Sequence, residues 1–261
     1  MPIVIKLGGR ALEAPGAARE LASEVAHLSS SVILVHGGGV EVTEWCTRLG
    51  IAPRFFEGLR VTDPETLDVA VAVLGGLANK RLVATLRAAG VDAVGLSALD
   101  GGTIESTRHA HASTLGAVGQ VTEVHPQLLE TLLAQGRTPV LASIAAAGEQ
   151  LLNLNADDLA AGLAGAVRAR ALVLLSDASG LKLDGRVVPR LGADEIASAL
   201  AHPDVKNGMR PKLRAAAAAI EAGAQRVVIG AWTGPGTLTA LIAGEGGGTT
   251  LLAGAWEASR G

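Results

Sequence analysis

The sequence predicts an α/β protein with a mainly parallel central sheet and helices on both faces. Three observations predict it. Short β-branched runs alternate with longer Ala/Leu stretches, the pattern of repeated βαβ units. The strand runs, such as Ile3-Val4-Ile5 and Val32-Ile33-Leu34-Val35, are almost continuously apolar, as expected when both faces of a sheet are covered. Hydrophobic residues make up 49% of the chain, yet there is no Tyr and there are only two Phe. Such a core must be built from small and aliphatic side chains, which suits helices lying close to a sheet.

The elements follow in order. Ile3 to Ile5 forms the first strand, and a helical segment runs from about Ala17 to Leu28. Val32 to Val35 is the second strand, with a helix beginning near Val40. Further strands fall at Ala93 to Leu96, Pro139 to Ala142, Ala171 to Leu175 and Arg226 to Ile229. Helical patterns fill Glu65 to Ala89, Gln127 to Gln135, Asp157 to Ala166 and Pro211 to Ala222. Between Asp100 and Thr122 the pattern changes to short Gly/Thr/Ser/His-rich pieces, which read as hairpin or meander strands. At 261 residues and without a clear linker, the chain is expected to form two lobes sharing one sheet, residues 1–170 and 171–261.

Charge and cysteine content exclude several classes. A formal net charge of −3 provides no basic field for nucleic acid or an anionic membrane. The one cysteine, Cys46, has no internal partner and reads as a buried small residue in a reducing compartment. No signal peptide is evident, and the apolar stretches are broken before the ~20 residues of a membrane span. A cytoplasmic location is expected.

Six segments carry polar chemistry. Lys6-Leu7-Gly8-Gly9 ends the first strand, where backbone N–H groups and a lysine can meet an anion. His36-Gly37-Gly38-Gly39 ends the second, at the sheet edge where parallel sheets bind ligands; His36 itself reads as a structural histidine. Gly58-Leu59-Arg60 precedes Thr62-Asp63-Pro64, so Arg60 is placed to grip a carboxylate while Thr62 or Asp63 caps the next helix. Asn153-Leu154-Asn155 leads to Asp157-Asp158, with the two asparagines on one side of an extended segment and Asp157 able to cap a helix. Ser176-Asp177-Ala178-Ser179-Gly180 follows a strand, and Asn207-Gly208-Met209-Arg210-Pro211-Lys212 enters an alanine-rich helix. A lysine near a helix N-terminus is disfavoured by the macrodipole, which points to an anion there. The glycine spacing matches neither the Walker nor the dinucleotide fingerprint. His109 and His111, one residue apart in a polar meander, read as solvated.

In this order the six segments resemble the amino acid kinase family, from Lys6 to the Gly236-Thr237 region, and within it the members that phosphorylate N-acetyl-L-glutamate in arginine biosynthesis. The resemblance implies a three-layer α/β/α sandwich of the carbamate kinase-like type, with ATP and Mg²⁺ as the phosphoryl donor. It implies that Lys6 and Lys212 contact the transferred group and that Asp157 holds both lysines. Gly8, Gly9, Gly38 and Gly39 would surround the phosphates, and Arg60, Asn153 and Asn155 the acyl amino acid. Ser176, Asp177, Gly180, Gly208 and Met209 would lie on the nucleotide side. The chain departs from the family pattern at Arg54-Phe55-Phe56-Glu57 and at Lys206-Asn207. An ionised carboxylate nucleophile requires no general base, so the lack of a catalytic His–Asp pair is consistent. Related readings are a kinase acting on carrier-linked aminoadipate or glutamate, and an inactive regulator of the same fold. Arginine-sensitive members carry an extra N-terminal helix that builds a hexamer; the first strand here begins almost at Met1, so the expectation is a homodimer that arginine does not strongly inhibit. The Glu65 to Ala89 helix, with Gly75-Gly76, is the expected dimer surface.

Overall fold

The computed structural model describes residues 1–8, 16–206 and 208–253. An eight-stranded sheet has the order Arg190–Gly192, Thr249–Leu252, Arg226–Ala231, Ala171–Ser176, Ile3–Leu7, Val32–His36, Thr138–Ala142, Ala93–Ser97. From Arg226–Ala231 to Ala93–Ser97 every pairing is parallel. Thr249–Leu252 runs antiparallel to Arg226–Ala231 at one side.

The pleat sorts the first strand between two cores. Ile3, Ile5 and Leu7 join Leu21, Val25, Leu82, Leu86 and Leu238 on one face. Val4 joins Leu159 and Leu163 of the helix Ala156–Ala166, with Leu213 and Ala216 of Met209–Glu221, on the other. These are the three layers expected of the fold. Lys6 is two residues from Val4 and therefore shares the face with Ala156–Ala166 and Met209–Glu221.

The meander is more elaborate than the sequence shows. Ile104–Arg108 and Val118–Val124 pair antiparallel, as expected, with the short helix Ala112–Leu115 between them. Ile144–Ala147 and Gln150–Leu154 complete a second four-stranded sheet. Ile144–Ala147 is alanine-rich and has no strand-like alternation; its neighbours decide its conformation. This sheet touches the hairpin Phe55–Phe56/Leu59–Arg60 region through a bridge between Thr62 and Gly116. A Cβ on Gly116 would lie 2.3 Å from the Thr62 carbonyl oxygen.

One long helix corrects the expectation about apolar runs. Helical structure continues from Pro64 to Ala88, 25 residues with mean hydropathy 1.4 in its apolar window, so by length and composition it could cross a membrane. It instead buries Val69, Val73, Leu74, Leu82 and Leu86 in the cores beside the main sheet. Asp63, not Thr62, is its N-cap, accepting from Thr66 N at 3.0 Å. Its middle, Val71–Ala78, is π-helical and contains Gly75 and Gly76, residues with weak α-helical preference.

The helices Ala156–Ala166 and Met209–Glu221 approach closely at Gly165. A Cβ there would lie 2.3 Å from Ala222 Cβ and 3.2 Å from the Ala222 carbonyl oxygen. Gly165→Ala gains about 1 kcal/mol of helix preference, against about 1–3 kcal/mol for forcing atoms into a packed contact. The expected outcome is a net loss of stability in urea denaturation; an unchanged or higher midpoint would show that the helices separate freely.

Candidate active site

Lys6 is the polar residue of an otherwise apolar buried strand. Its Nζ lies 2.8 Å from Asp157 Oδ1, and Lys212 Nζ lies 2.8 Å from Asp157 Oδ2. The Lys212 contact has hydrogen-bond geometry. The Lys6 contact is an ion pair, leaving Oδ1 without an aligned donor. All three groups are largely withdrawn from solvent, with side-chain exposures of 8% for Lys6, 7% for Asp157 and 17% for Lys212.

Local sequence places each member. Asn155, rather than Asp157, caps the helix Ala156–Ala166: its Oδ1 accepts from Asp157 N at 2.8 Å and Asp158 N at 3.3 Å. A carboxylate needed by two lysines cannot also serve the helix end, and the neutral amide takes that task. The cap aims Asp157 inward from the first turn. The helix carrying Lys212 begins at Met209, so Pro211 falls in the first turn, where its missing N–H costs nothing. Asp157 supplies the negative charge expected near Lys212. A Cβ on Gly8 would lie 2.1 Å from Lys6 Nζ and 3.0 Å from the Leu175 carbonyl oxygen, so only glycine lets the ammonium fold back over the chain.

Burial and charge compete here. Burial opposes ionisation of Asp157, but the attraction of Lys6 and Lys212, with the Lys212 hydrogen bond, prevails and holds its carboxyl below the ordinary range. Burial lowers Lys6, Asp157 offsets part of that, and Lys212 adds repulsion, so its ammonium titrates below the usual lysine range.

Lys6 and Asp157 line a cavity of about 280 Å³, together with Gly8, Gly38, Gly39, Arg60, Asn153 and Asn155; Lys212 is joined to it through Asp157. Arg60 Nη2 donates to the Gly39 carbonyl oxygen and Thr43 Oγ1, both at 2.6 Å, and its guanidinium lies 4.9 Å from the Phe55 ring centre. Its buried Nη1 has no partner among the described residues, so a free donor remains for an anion. Burial lowers the Arg60 pKa, though guanidinium remains charged at neutral pH. Asn153 Nδ2 donates to Thr62 Oγ1 at 3.2 Å. Sequence reasoning missed the apolar wall formed by Val42, Leu74, Val118 and Leu154, and also Ser143. Ser143 was detectable as the polar residue after the apolar run Pro139 to Ala142.

The remaining residues lie at the end of the Ala171–Ser176 strand or at the start of Met209–Glu221, outside that cavity. Ser176 Oγ accepts from Ala178 N at 3.1 Å and shapes the loop. Asp177 acts on Lys6 electrostatically. Gly180 packs on Gly248 and Thr249, and Leu181 N donates to Thr249 Oγ1 at 2.7 Å. Gly208 has open space around it, and Met209 begins the helix. Gly9 and Asn207 lie outside the described residues. Among the described residues, groups of carboxylates and imidazoles close enough to share a metal are Glu105/Glu123/His125 and Asp184/His202/Asp204, and neither lines this cavity.

Comparisons with known proteins bear on this geometry. The model of the "Amino acid kinase family" matches residues 1–231. The chain is 43% identical to an acetylglutamate kinase of Methanopyrus kandleri over 237 residues, covering 87% of this chain and 93% of the relative. It is 39% identical to an acetylglutamate kinase of Symbiobacterium thermophilum, covering 96% and 91%. The structure of carbamate kinase from Giardia lamblia bound to AMP-PNP superposes with a TM-score of 0.65 at 16% identity, over 96% of this chain and 98% of that one; that likeness concerns the fold alone.

Asp157→Asn leaves two ammonium groups facing each other without a counter-charge. The expected loss at neutral pH is about 3–5 kcal/mol, as for breaking a buried ion pair. A carboxyl whose folded pKa is depressed stabilises above its unfolded pKa and loses that contribution as pH falls through the folded value. The stability gap between wild type and variant, measured by urea denaturation, should therefore close as pH drops below the ordinary aspartate range. A gap independent of pH would show that Asp157 acts by shape rather than charge.

Proposed function

Because the chain belongs to the amino acid kinase family, we propose that it transfers the γ-phosphoryl group of ATP to the γ-carboxylate of N-acetyl-L-glutamate, the step in arginine biosynthesis that its relatives' name implies. The observation that carries this reading is the Lys6–Asp157–Lys212 cluster, of which Lys6 and Asp157 line a cavity whose walls hold Arg60 and two glycine turns.

The chemistry follows from charge. The attacking carboxylate, with an ordinary pKa near ~4.3, is already ionised at neutral pH and requires no base. Its difficulty is approach to another anion. Two lysines on one carboxylate leave a net positive charge beside the cavity, suited to the equatorial oxygens of a phosphoryl group in transfer. Arg60 Nη1 would receive the substrate α-carboxylate, with Asn153 and Asn155 beside it. Gly8, where a Cβ would strike Lys6 Nζ, fits a cradle for phosphate oxygens. Mg²⁺, carried by the nucleotide phosphates, would offset their charge; Ser176, Asp177, Gly180, Gly208 and Met209 would border the nucleotide. Residues 1–170 thus serve the acyl amino acid and 171–261 the nucleotide.

The proposed assembly is a cytoplasmic homodimer formed through the helix Pro64 to Ala88. Space beyond Gly75 and Gly76 is open, with nothing within 4 Å of a Cβ built on either, so a second helix can approach there. Light scattering should return twice the 26.2 kDa chain mass, and Gly75→Arg should return the single mass. A monomer in the unsubstituted protein would dismiss this interface.

The activity is tested by trapping acyl phosphate with hydroxylamine from ATP and N-acetyl-L-glutamate. Lys212→Ala should lower kcat about 10²–10³-fold, as for loss of a group stabilising transition-state charge. Arg60→Lys should mainly raise KM for the acyl amino acid, since a point charge replaces a planar fork. Undiminished turnover in Lys212→Ala would remove the central claim.

A further inference from the structure

Asn79 sits where the π-helical stretch Val71–Ala78 returns to α-helix, and it is fully buried. Its Nδ2 lies 3.0 Å from His36 Nε2, 3.0 Å from the Val140 carbonyl oxygen and 3.3 Å from that of Leu96. Its Oδ1 accepts from Lys80 Nζ at 3.0 Å. One amide thus joins this helix to three neighbouring strands of the main sheet. His36, also buried, has Nδ1 at 2.9 Å from the Gly37 carbonyl oxygen. A carbonyl only accepts, so Nδ1 carries the ring proton and Nε2 accepts from Asn79. Turning the amide over would aim Oδ1 at two carbonyls and Nδ2 at an ammonium, so the donors are assigned by their partners.

The consequence reaches the cavity through one peptide group. Gly37 C=O and Gly38 N–H belong to the same planar unit. Holding the oxygen on the His36 side fixes the direction of the Gly38 N–H away from it. Gly38 lines the cavity and caps the helix Gly39–Arg48, whose leading N–H groups have no intrahelical partners. The same long helix presses the turn from another side: a Cβ on Gly38 would lie 2.7 Å from Leu74 Cδ2.

We infer that His36 and Asn79 are positioning residues for phosphoryl transfer, a buried polar clamp that aims the Gly38 N–H at the transferred group. The inference rests on the proposed kinase activity, and its test separates the two. In ¹⁵N NMR of the wild-type protein with labelled histidine, His36 should be neutral with its proton on Nδ1. Asn79→Ala, shown to be folded by circular dichroism and denaturation, should lower kcat by up to about 10²-fold, the scale of a misplaced reacting geometry, while KM for ATP stays within about twofold. A role confined to packing would lower stability and leave kcat of the folded enzyme unchanged. Wild-type kcat in folded Asn79→Ala overturns the inference, as does a proton on Nε2 of His36. Absence of acyl phosphate from the wild-type enzyme would remove the proposed activity instead, and the tautomer would still decide whether the clamp exists.

Discussion

One buried carboxylate shared by two ammonium groups is the constraint around which the molecule is arranged. Asp157 lies 2.8 Å from each lysine, and withdrawing three charges from water is unfavourable unless their geometry is good. Lys6 comes from the sheet, Asp157 from one covering helix and Lys212 from the next, so strand and helices must keep fixed separations. The close approach at Gly165 and Ala222 maintains one of these distances. The Asn155 cap maintains another by starting the helix where Asp157 turns inward.

The cluster also leaves charge in excess. Two cations and one anion carry a net positive charge in a poorly solvated place, where an incoming anion is strongly favoured. Glycine turns lining the cavity keep the backbone free of side chains, and Arg60 offers a donor to the same cavity. Cation, glycine turn and guanidinium therefore surround a space whose carboxylate among the described lining residues, Asp157, is held by lysine. That division suits chemistry in which positioning and charge, rather than proton transfer, limit the rate.

The legible parts of the fold are those with strong local signals. Ile3-Val4-Ile5 and Val32-Ile33-Leu34-Val35 have continuous apolar runs, and both emerge as central strands. Ile144–Ala147 was illegible because alanine has no strand preference and pairing with Gln150–Leu154 decides its conformation. The cap shifted from Asp157 to Asn155 for a similar reason: both residues suit a helix start, and only the distant lysines determine which side chain is free. Phe55 and Leu74 line the cavity but look like ordinary hydrophobic residues. Asn79 gave no signal inside an apolar helical pattern, since its partners lie on strands far along the chain.

By itself, the sequence determined the α/β class, the sheet edge at which glycine turns gather, and the identities of Lys6, Asp157 and Lys212 as residues of interest. Periodicity and turn chemistry are local properties, so they survive in a linear reading. The resemblance implied that Asp157 holds both lysines; only the tertiary structure decided the distances at which it does so, that Asn155 caps the helix, and that His36 and Asn79 flank the glycine turn. Those outcomes depend on distances between elements, which are set when both faces of the sheet are packed and most buried polar groups find a partner.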